Sequence, residues 1–132
     1  MDKTARIPSG YEIAIDGART FTGMDAVDWA RRGQDLGAGE IVVNSIDRDG
    51  TGSGYDLDIT EQITEAVSLP VIASGGAGLV SHVADAFRIG ATGAITSSML
   101  YSPRVEHTLT VGEMKAQLGE LGERVRPVHS AD

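Results

Sequence analysis

Ser74-Gly75-Gly76-Ala77-Gly78 is the stretch of this sequence best suited to chemistry. It follows a short apolar run of strand type and precedes a segment of helix type, so its backbone N–H groups stand clear of side chains. Amides displayed in that way, with a helix N-terminus behind them, can cradle a phosphate. The competing reading is a tight strand-to-helix turn that binds nothing. The next strand-type run ends in Thr96-Ser97-Ser98. Those hydroxyls and amides can grip the same anion if the two strand ends are neighbours, whereas alone they make an ordinary polar loop. A third group is Asp47-Arg48-Asp49-Gly50-Thr51. Two carboxylates, two positions apart, flank a guanidinium. One of them can act as a general acid or base, or hold a substrate hydroxyl, and Gly50 lets the backbone approach a ligand. By itself this stretch reads as an Asx-type turn with a local ion pair. His82, His107 and His129 share no ligand spacing, which predicts no metal site and makes them exposed bystanders. Tyr55, Trp29 and Phe87 read as packing residues.

These groups need elements to position them. Tyr11 to Ile15 alternates as a strand, Asp16-Gly17 is a hairpin turn signal, and Arg19 to Phe21 is the returning arm. Thr22 is the expected N-cap, with Asp25 at N3, of a helix over Met24 to Leu36. Its apolar side carries Val27, Ala30 and Leu36. Glu40 to Ile46 is a nearly continuous apolar run, which predicts a strand buried on both faces of a parallel sheet. Asp58 and Glu61 have capping-box spacing for a second helix to about Val67. Val71 to Ser74 is the next strand, and Ser81 is the expected cap of a third helix to Ile89. Gly93 to Ser98 is a fourth strand-type run. Thr110 and Glu113 open a last helix that ends near Leu121-Gly122.

Strand, loop and helix in repetition define a parallel β/α architecture, with the active face at the strands' C-terminal ends. Three clear parallel strands do not close a barrel. Glu40 sits at the opposite end, either simply exposed at a strand start or lining the bottom of a barrel.

The chain has 132 residues, 41% hydrophobic and 23% charged, which argues for a folded domain and against disorder. Glycine, at 17 residues, gathers at the ends of apolar runs, where turns and close backbone approach need it. No apolar run approaches the ~20 residues of a membrane helix, and nothing apolar follows Met1-Asp2-Lys3, so neither a span nor a secretory leader is expected. Without cysteine, disulfides, thiolate metal sites and Cys nucleophiles are excluded, and a cytoplasmic setting is expected. A net charge of −8 with no basic patch argues against nucleic acid as a partner.

Gly37-Ala38-Gly39-Glu40-Ile41, the run from Asn44 to Thr51, Ser53-Gly54-Tyr55-Asp56, and Pro70 to Gly78 together closely resemble the cyclase subunit of imidazole glycerol phosphate synthase, of histidine biosynthesis. Thr22-Gly23 and Val125-Arg126 fit the same family, and the resemblance covers roughly residues 2–127. It implies half of a (β/α)-barrel: the C-terminal half, with the hairpin loop after strand five and then strands six to eight with their helices. The layout it implies is one half-barrel domain over 1–132, with hairpin loop 1–22, β/α units 23–122 and tail 123–132.

The reaction it implies is a lyase-type, ammonia-dependent cyclisation. A bis-phosphorylated ribulosyl aminoimidazole carboxamide ribotide becomes imidazole glycerol phosphate and the carboxamide ribotide, with ammonia supplied by a glutaminase partner. The implied roles are catalytic for Asp2 and Asp49, phosphate-binding for Gly50, Ser74, Gly75, Gly76, Ser97 and Ser98, and ammonia gate for Glu40. No cofactor or metal is implied. The family's other catalytic aspartate belongs to strand one, outside this chain, so no turnover is expected from the chain alone. Open sheet edges and an apolar inner face predict pairing with an N-terminal half or self-association. The alternatives are a non-catalytic phosphate-binding half-barrel module and a fragment of the sister aminoaldose isomerase of the same pathway. The isomerase has stretches similar to 47–51 and 53–56, but the glycine loop and the Thr22-Gly23 context favour the cyclase. A flavodoxin-like domain would need a strand order that the sequence leaves open.

Overall fold

The structure, a computed structural model, describes residues 6–102 and 108–128. Asp2, His107 and His129 lie outside the described residues. In chain order the elements are β1 (Glu12–Ile15), β2 (Thr20–Asp25), α1 (Ala26–Asp35), β3 (Ile41–Asn44), α2 (Leu57–Ala66), β4 (Val71–Ser74), α3 (Val80–Arg88), β5 (Gly93–Ala94), α4 (Ser98–Tyr101) and α5 (Val111–Glu120). β1 and β2 form an antiparallel hairpin, while β3, β4 and β5 form an open parallel sheet in that order. This is the arrangement of a half (β/α)-barrel, as the sequence predicts. Among the described residues, no helix is long and apolar enough to cross a membrane.

The hairpin turns where Asp16-Gly17 predicts it, with Asp16, Gly17 and Ala18 all at positive φ. The returning arm is longer than expected and absorbs Thr22. That residue is therefore not a helix cap: its hydroxyl donates to the Ile13 carbonyl at 2.8 Å, inside the hairpin. Asp25 caps α1 instead, accepting from the amides of Val27 at 2.9 Å and Asp28 at 3.2 Å. The Ser9 amide adds a third bond to it at 2.7 Å, so the cap also ties down the chain ahead of the hairpin.

Two further caps are displaced. Asp56, not Asp58, precedes α2, and its carboxylate serves the tertiary fold by accepting from the Tyr11 hydroxyl at 2.9 Å. Burial, then the Asp56 and Asp58 carboxylates, push the Tyr11 phenol well above its ordinary value. Leu79, not Ser81, precedes α3, and the capping there falls to His82. The Thr110–Glu113 capping box forms as predicted.

The sheet is not buried on both faces within the described residues. Register pairs Val42 with Ile72 and Gly93 on one face, and Val43 with Ala73 and Ala94 on the other. The second face is buried under helices, with Val43, Val71 and Ala73 in the core. On the first face Val42 is 53% exposed and Ile95, just past β5, 48%. The physical reason is that a parallel strand is apolar on both sides, while these helices cover one side only. The core has two parts. Val27, Ala30, Val43, Ile59, Ile63 and Val71 pack under α1 and α2. Tyr55, Ala73, Val83, Ala84, Met99, Met114 and Leu118 pack around α3 and α5.

Tyr55 and Phe87 pack as expected. Trp29 does not, at 44% exposed, and neither does Leu36, which lies past the last turn of α1 at 75%. Trp29 lines a groove of about 700 Å³. The groove runs between the hairpin, α1 and the unpaired edge of β3, and Ile13, Phe21, Trp29, Ile41 and Val42 are among the side chains that line it.

Candidate functional site

The three sequence-predicted groups gather at one end of the sheet. Loop 45–56 leaves β3, loop 75–79 leaves β4, and residues 95–97 lie between β5 and α4. Parallel pairing carries beyond the strands: Ser45 N–H donates to Ser74 C=O at 3.1 Å, and Ile95 N–H donates to Ala73 C=O at 2.8 Å. The loops therefore start side by side at the strands' C-terminal ends.

The glycine loop is built by close backbone approach. Gly75 and Gly76 take φ of +86° and +111°. A Cβ on Gly75 would lie 2.7 Å from the Ser45 carbonyl oxygen, and one on Gly76 would collide with the Gly54 carbonyl oxygen. Only glycine meets both demands, left-handed φ and no room. The loop is held from the side by Gly54, whose N–H donates to Gly76 C=O at 2.8 Å. Gly78 N–H and Leu79 N–H are engaged by His82. The amides of Gly75, Gly76 and Ala77 have no acceptor among the described residues. All three residues are buried. Buried amides are normally paired, and amides left bare in this way are able to cradle an anion.

Ser74 sits on the uncovered sheet face beside its register partner Asn44, and its hydroxyl donates to Asn44 Oδ1 at 3.0 Å. Ser97 is exposed and precedes α4, while Ser98 begins that helix. The fourth strand-type run is therefore shorter than expected, ending at Ala94. Both serines border the same strand end as Ile95, whose carbonyl accepts from the Tyr55 hydroxyl at 2.8 Å. Tyr55 thus reaches across from the β3 loop and fixes the base of the β5 loop. Burial pushes its phenol up to about 12.

Asp49 and Gly50 lie on the exposed rim of the β3 loop, with Gly50 at φ +76°. The expected local ion pair does not form. Arg48 reaches the Ser53 hydroxyl at 3.4 Å instead, and the ion pairs among the described residues are Arg31–Asp28 and Arg88–Asp85. The turn is closed by Thr51, whose hydroxyl donates to the Arg48 carbonyl at 2.6 Å. Among the described residues the Asp49 carboxylate has no hydrogen-bond or ion-pair partner, and it is exposed at the rim. Glu40 is exposed just before β3, at the opposite end of the sheet, and borders the groove along that strand's edge. Among the described residues, no cluster of His, Asp and Glu suits a metal ion.

Two contributors are missed by the sequence reading. His82 is half-buried and bonded rather than a bystander: at N3 of α3 its ring reaches back to the N-cap amide, where a capping box would use Glu or Gln. A His at N3 behind an apolar cap residue is the signal that could have found it. Tyr55 is more than packing, since its hydroxyl spans two loops. That contact joins residues 40 apart in sequence and has no local signature.

A half-barrel with glycine-built, amide-bearing turns at its strands' C-terminal ends is the class this fold and site define. The chain belongs to the histidine biosynthesis protein family, whose model matches residues 2–106. It is 47% identical over 129 residues to the imidazole glycerol phosphate synthase subunit HisF of Nitratidesulfovibrio vulgaris (strain DP4), covering 97% of this chain and 48% of that protein. It is 50% identical over 121 residues to the subunit of the same name from Desulforapulum autotrophicum, covering 91% and 45%. The likeness to the Mycobacterium tuberculosis subunit (strain CDC 1551 / Oshkosh) is 48% over 123 residues, covering 93% and 45%. The chain thus spans about half the length of these curated relatives.

Proposed function

We propose that this chain is the C-terminal half of a cyclase barrel and supplies one phosphate site for the ammonia-dependent cyclisation of a bis-phosphorylated ribotide to imidazole glycerol phosphate. The observation that carries the reading is the set of bare, buried amides of Gly75, Gly76 and Ala77 at the C-terminal end of β4. Gly50, Ser74, Ser97 and Ser98 complete the anion site from the flanking strand ends. Asp49, unpaired at the rim, holds or protonates the substrate, and Asp2 is the carboxylate of the acid–base pair that this half contributes. Glu40, at the opposite end, contributes to the ammonia entrance facing a glutaminase subunit. The uncovered sheet face and the groove along β3 take an N-terminal half-barrel, whose strand adds to the open β3 edge. The family carries the chemistry in this reading, and the chain's own loops carry the anion.

The test has two arms. Inorganic phosphate added to the chain is expected to shift the Gly75, Gly76 and Ala77 amide resonances saturably, and no shift would remove the anion site. The chain mixed with a separately made N-terminal half of a relative is expected to turn over the ribotide with ammonium salt, while neither half does so alone. Turnover by this chain alone would overturn the division of the catalytic carboxylates. Phosphate binding without turnover from the mixture would favour a non-catalytic phosphate-binding module.

A further inference from the structure

Two backbone amides of the glycine loop end on an imidazole. Gly78 N–H and Leu79 N–H both donate to Nδ1 of His82, each at 3.1 Å. A nitrogen with two donors aimed at it must present a lone pair, so the ring carries its proton on Nε2. The ring edge packs against Gly54, where an added Cβ would lie 3.4 Å from His82 Cδ2. Gly54 in turn holds the Gly76 carbonyl. One uncharged side chain therefore reaches the C-terminal end of the loop directly and its middle through Gly54.

The Leu79 N–H is the N-cap amide of α3, and the Gly78 N–H is the one before it. In a capping box a Glu or Gln at N3 ordinarily reaches back to the N-cap amide. Here N3 is His82, and the acceptor is an imidazole, the side chain that exchanges a proton near neutral pH. Once Nδ1 takes a proton it can no longer accept, and Gly78 and Leu79 lose their anchor.

We propose that His82 is a positioning residue for the anion cradle: its unprotonated Nδ1 fixes the C-terminal end of the glycine loop, and protonation of the ring loosens the cradle. This rests on the reading of Gly75 to Ala77 as an anion site. The titratable and charged groups that share the cavity with the ring are Arg48, Asp56, Asp58, Asp85, Tyr11 and Tyr55. The variants below leave all of them in place.

Amide spectra of the whole chain, followed over a pH range wide enough to protonate the His82 ring, are expected to show Gly78 and Leu79 moving in step with the His82 ring resonances. His82→Asn keeps an acceptor oxygen where Nδ1 stood and removes the titrating proton. Its Gly78 and Leu79 amides are expected to hold still over that range, and its affinity for inorganic phosphate near pH 8 to stay within about two-fold of wild type. His82→Leu removes the acceptor and is expected to bind phosphate about five-fold more weakly. Loop amides that ignore the His82 titration overturn the proposal, and that measurement needs no variant. A His82→Leu chain with wild-type affinity overturns it too. A wild-type chain whose Gly75 to Ala77 amides ignore phosphate overturns the anion-site reading, and the proposal with it, even where Gly78 and Leu79 track the ring.

Discussion

The loop after β4 and the residues after β5 stand side by side, yet they are built in opposite ways. Gly75, Gly76 and Ala77 are buried, and the two glycines are held by positive φ and by carbonyl oxygens of Ser45 and Gly54 lying where side chains would go. Thr96, Ser97 and Ser98 are exposed or half-exposed and carry hydroxyls as their functional groups. One loop offers backbone that nothing else can replace, and the other offers side chains that can be exchanged. A cradle made of backbone is rigid before its ligand arrives, because the constraint that shapes it is steric. A cradle made of hydroxyls is adjustable, because each rotor is set by what it meets. The pair teaches that a fixed backbone element and an adjustable side-chain element can stand at two neighbouring strand ends.

The sharpest way to break the contrast is Gly76→Ala. A Cβ there meets the Gly54 carbonyl while φ sits at +111°, so a loss of about 3 kcal/mol in urea unfolding is expected, with phosphate binding gone. A remote control comes next. Asp25→Ala removes a carboxylate bonded by three amides and is expected to cost about 2 kcal/mol without touching either loop, so phosphate affinity should hold. Burial alone would raise the Asp25 carboxyl, but hydrogen bonds from Ser9, Asp28 and Val27 prevail and hold it below the usual carboxylate range. Its stabilisation is therefore fully present above the unfolded value and fades as pH falls through the lowered folded one. Urea midpoints of Asp25→Ala should accordingly lose part of the acid slope below about pH 4.

Tyr55→Phe cuts the link between the loops, with an expected cost of about 1 kcal/mol for the bond to Ile95. The phenol is raised to about 12 when folded, so its contribution is complete below 10.0 and lost as pH climbs toward 12. Thermal melts of the Phe variant in that alkaline window should fall less steeply than those of wild type. The smallest effect on stability is expected from Ser97→Ala, within about 0.5 kcal/mol, while calorimetry should find phosphate binding about five-fold weaker. A Ser97→Ala chain as destabilised as Gly76→Ala would erase the distinction between the two loops.

Much of the architecture was legible in the sequence because its signals are local. Asp16-Gly17 marks a hairpin by its tolerance of positive φ, and the Thr110–Glu113 spacing marks a helix start by mutual capping. Short apolar runs followed by glycine mark parallel strands feeding turns. The caps of α1, α2 and α3 were misread for a shared reason. In each, a residue with the right side chain lies within two or three positions of the true boundary, and tertiary contacts decide which one serves. Thr22 is drawn into the hairpin, Asp56 is taken by Tyr11, and Ser81 yields to His82. Within the site, the glycine loop could be picked out by its composition, and so could the serines and the Asp49 turn. The Arg48–Ser53 contact and the Tyr55 tether could not, since they depend on where loops from different strands meet.

By itself the sequence determined the alternation of strand-type and helix-type segments, the parallel class of the sheet and where its glycine-rich turns fall. Each of these follows from the preferences of a few neighbouring residues. Tertiary structure alone decided which sheet face stays uncovered, which amides remain without acceptors and which side chain closes α3. Those outcomes are set by strand register and by the approach of one loop to another, and both couple residues tens of positions apart.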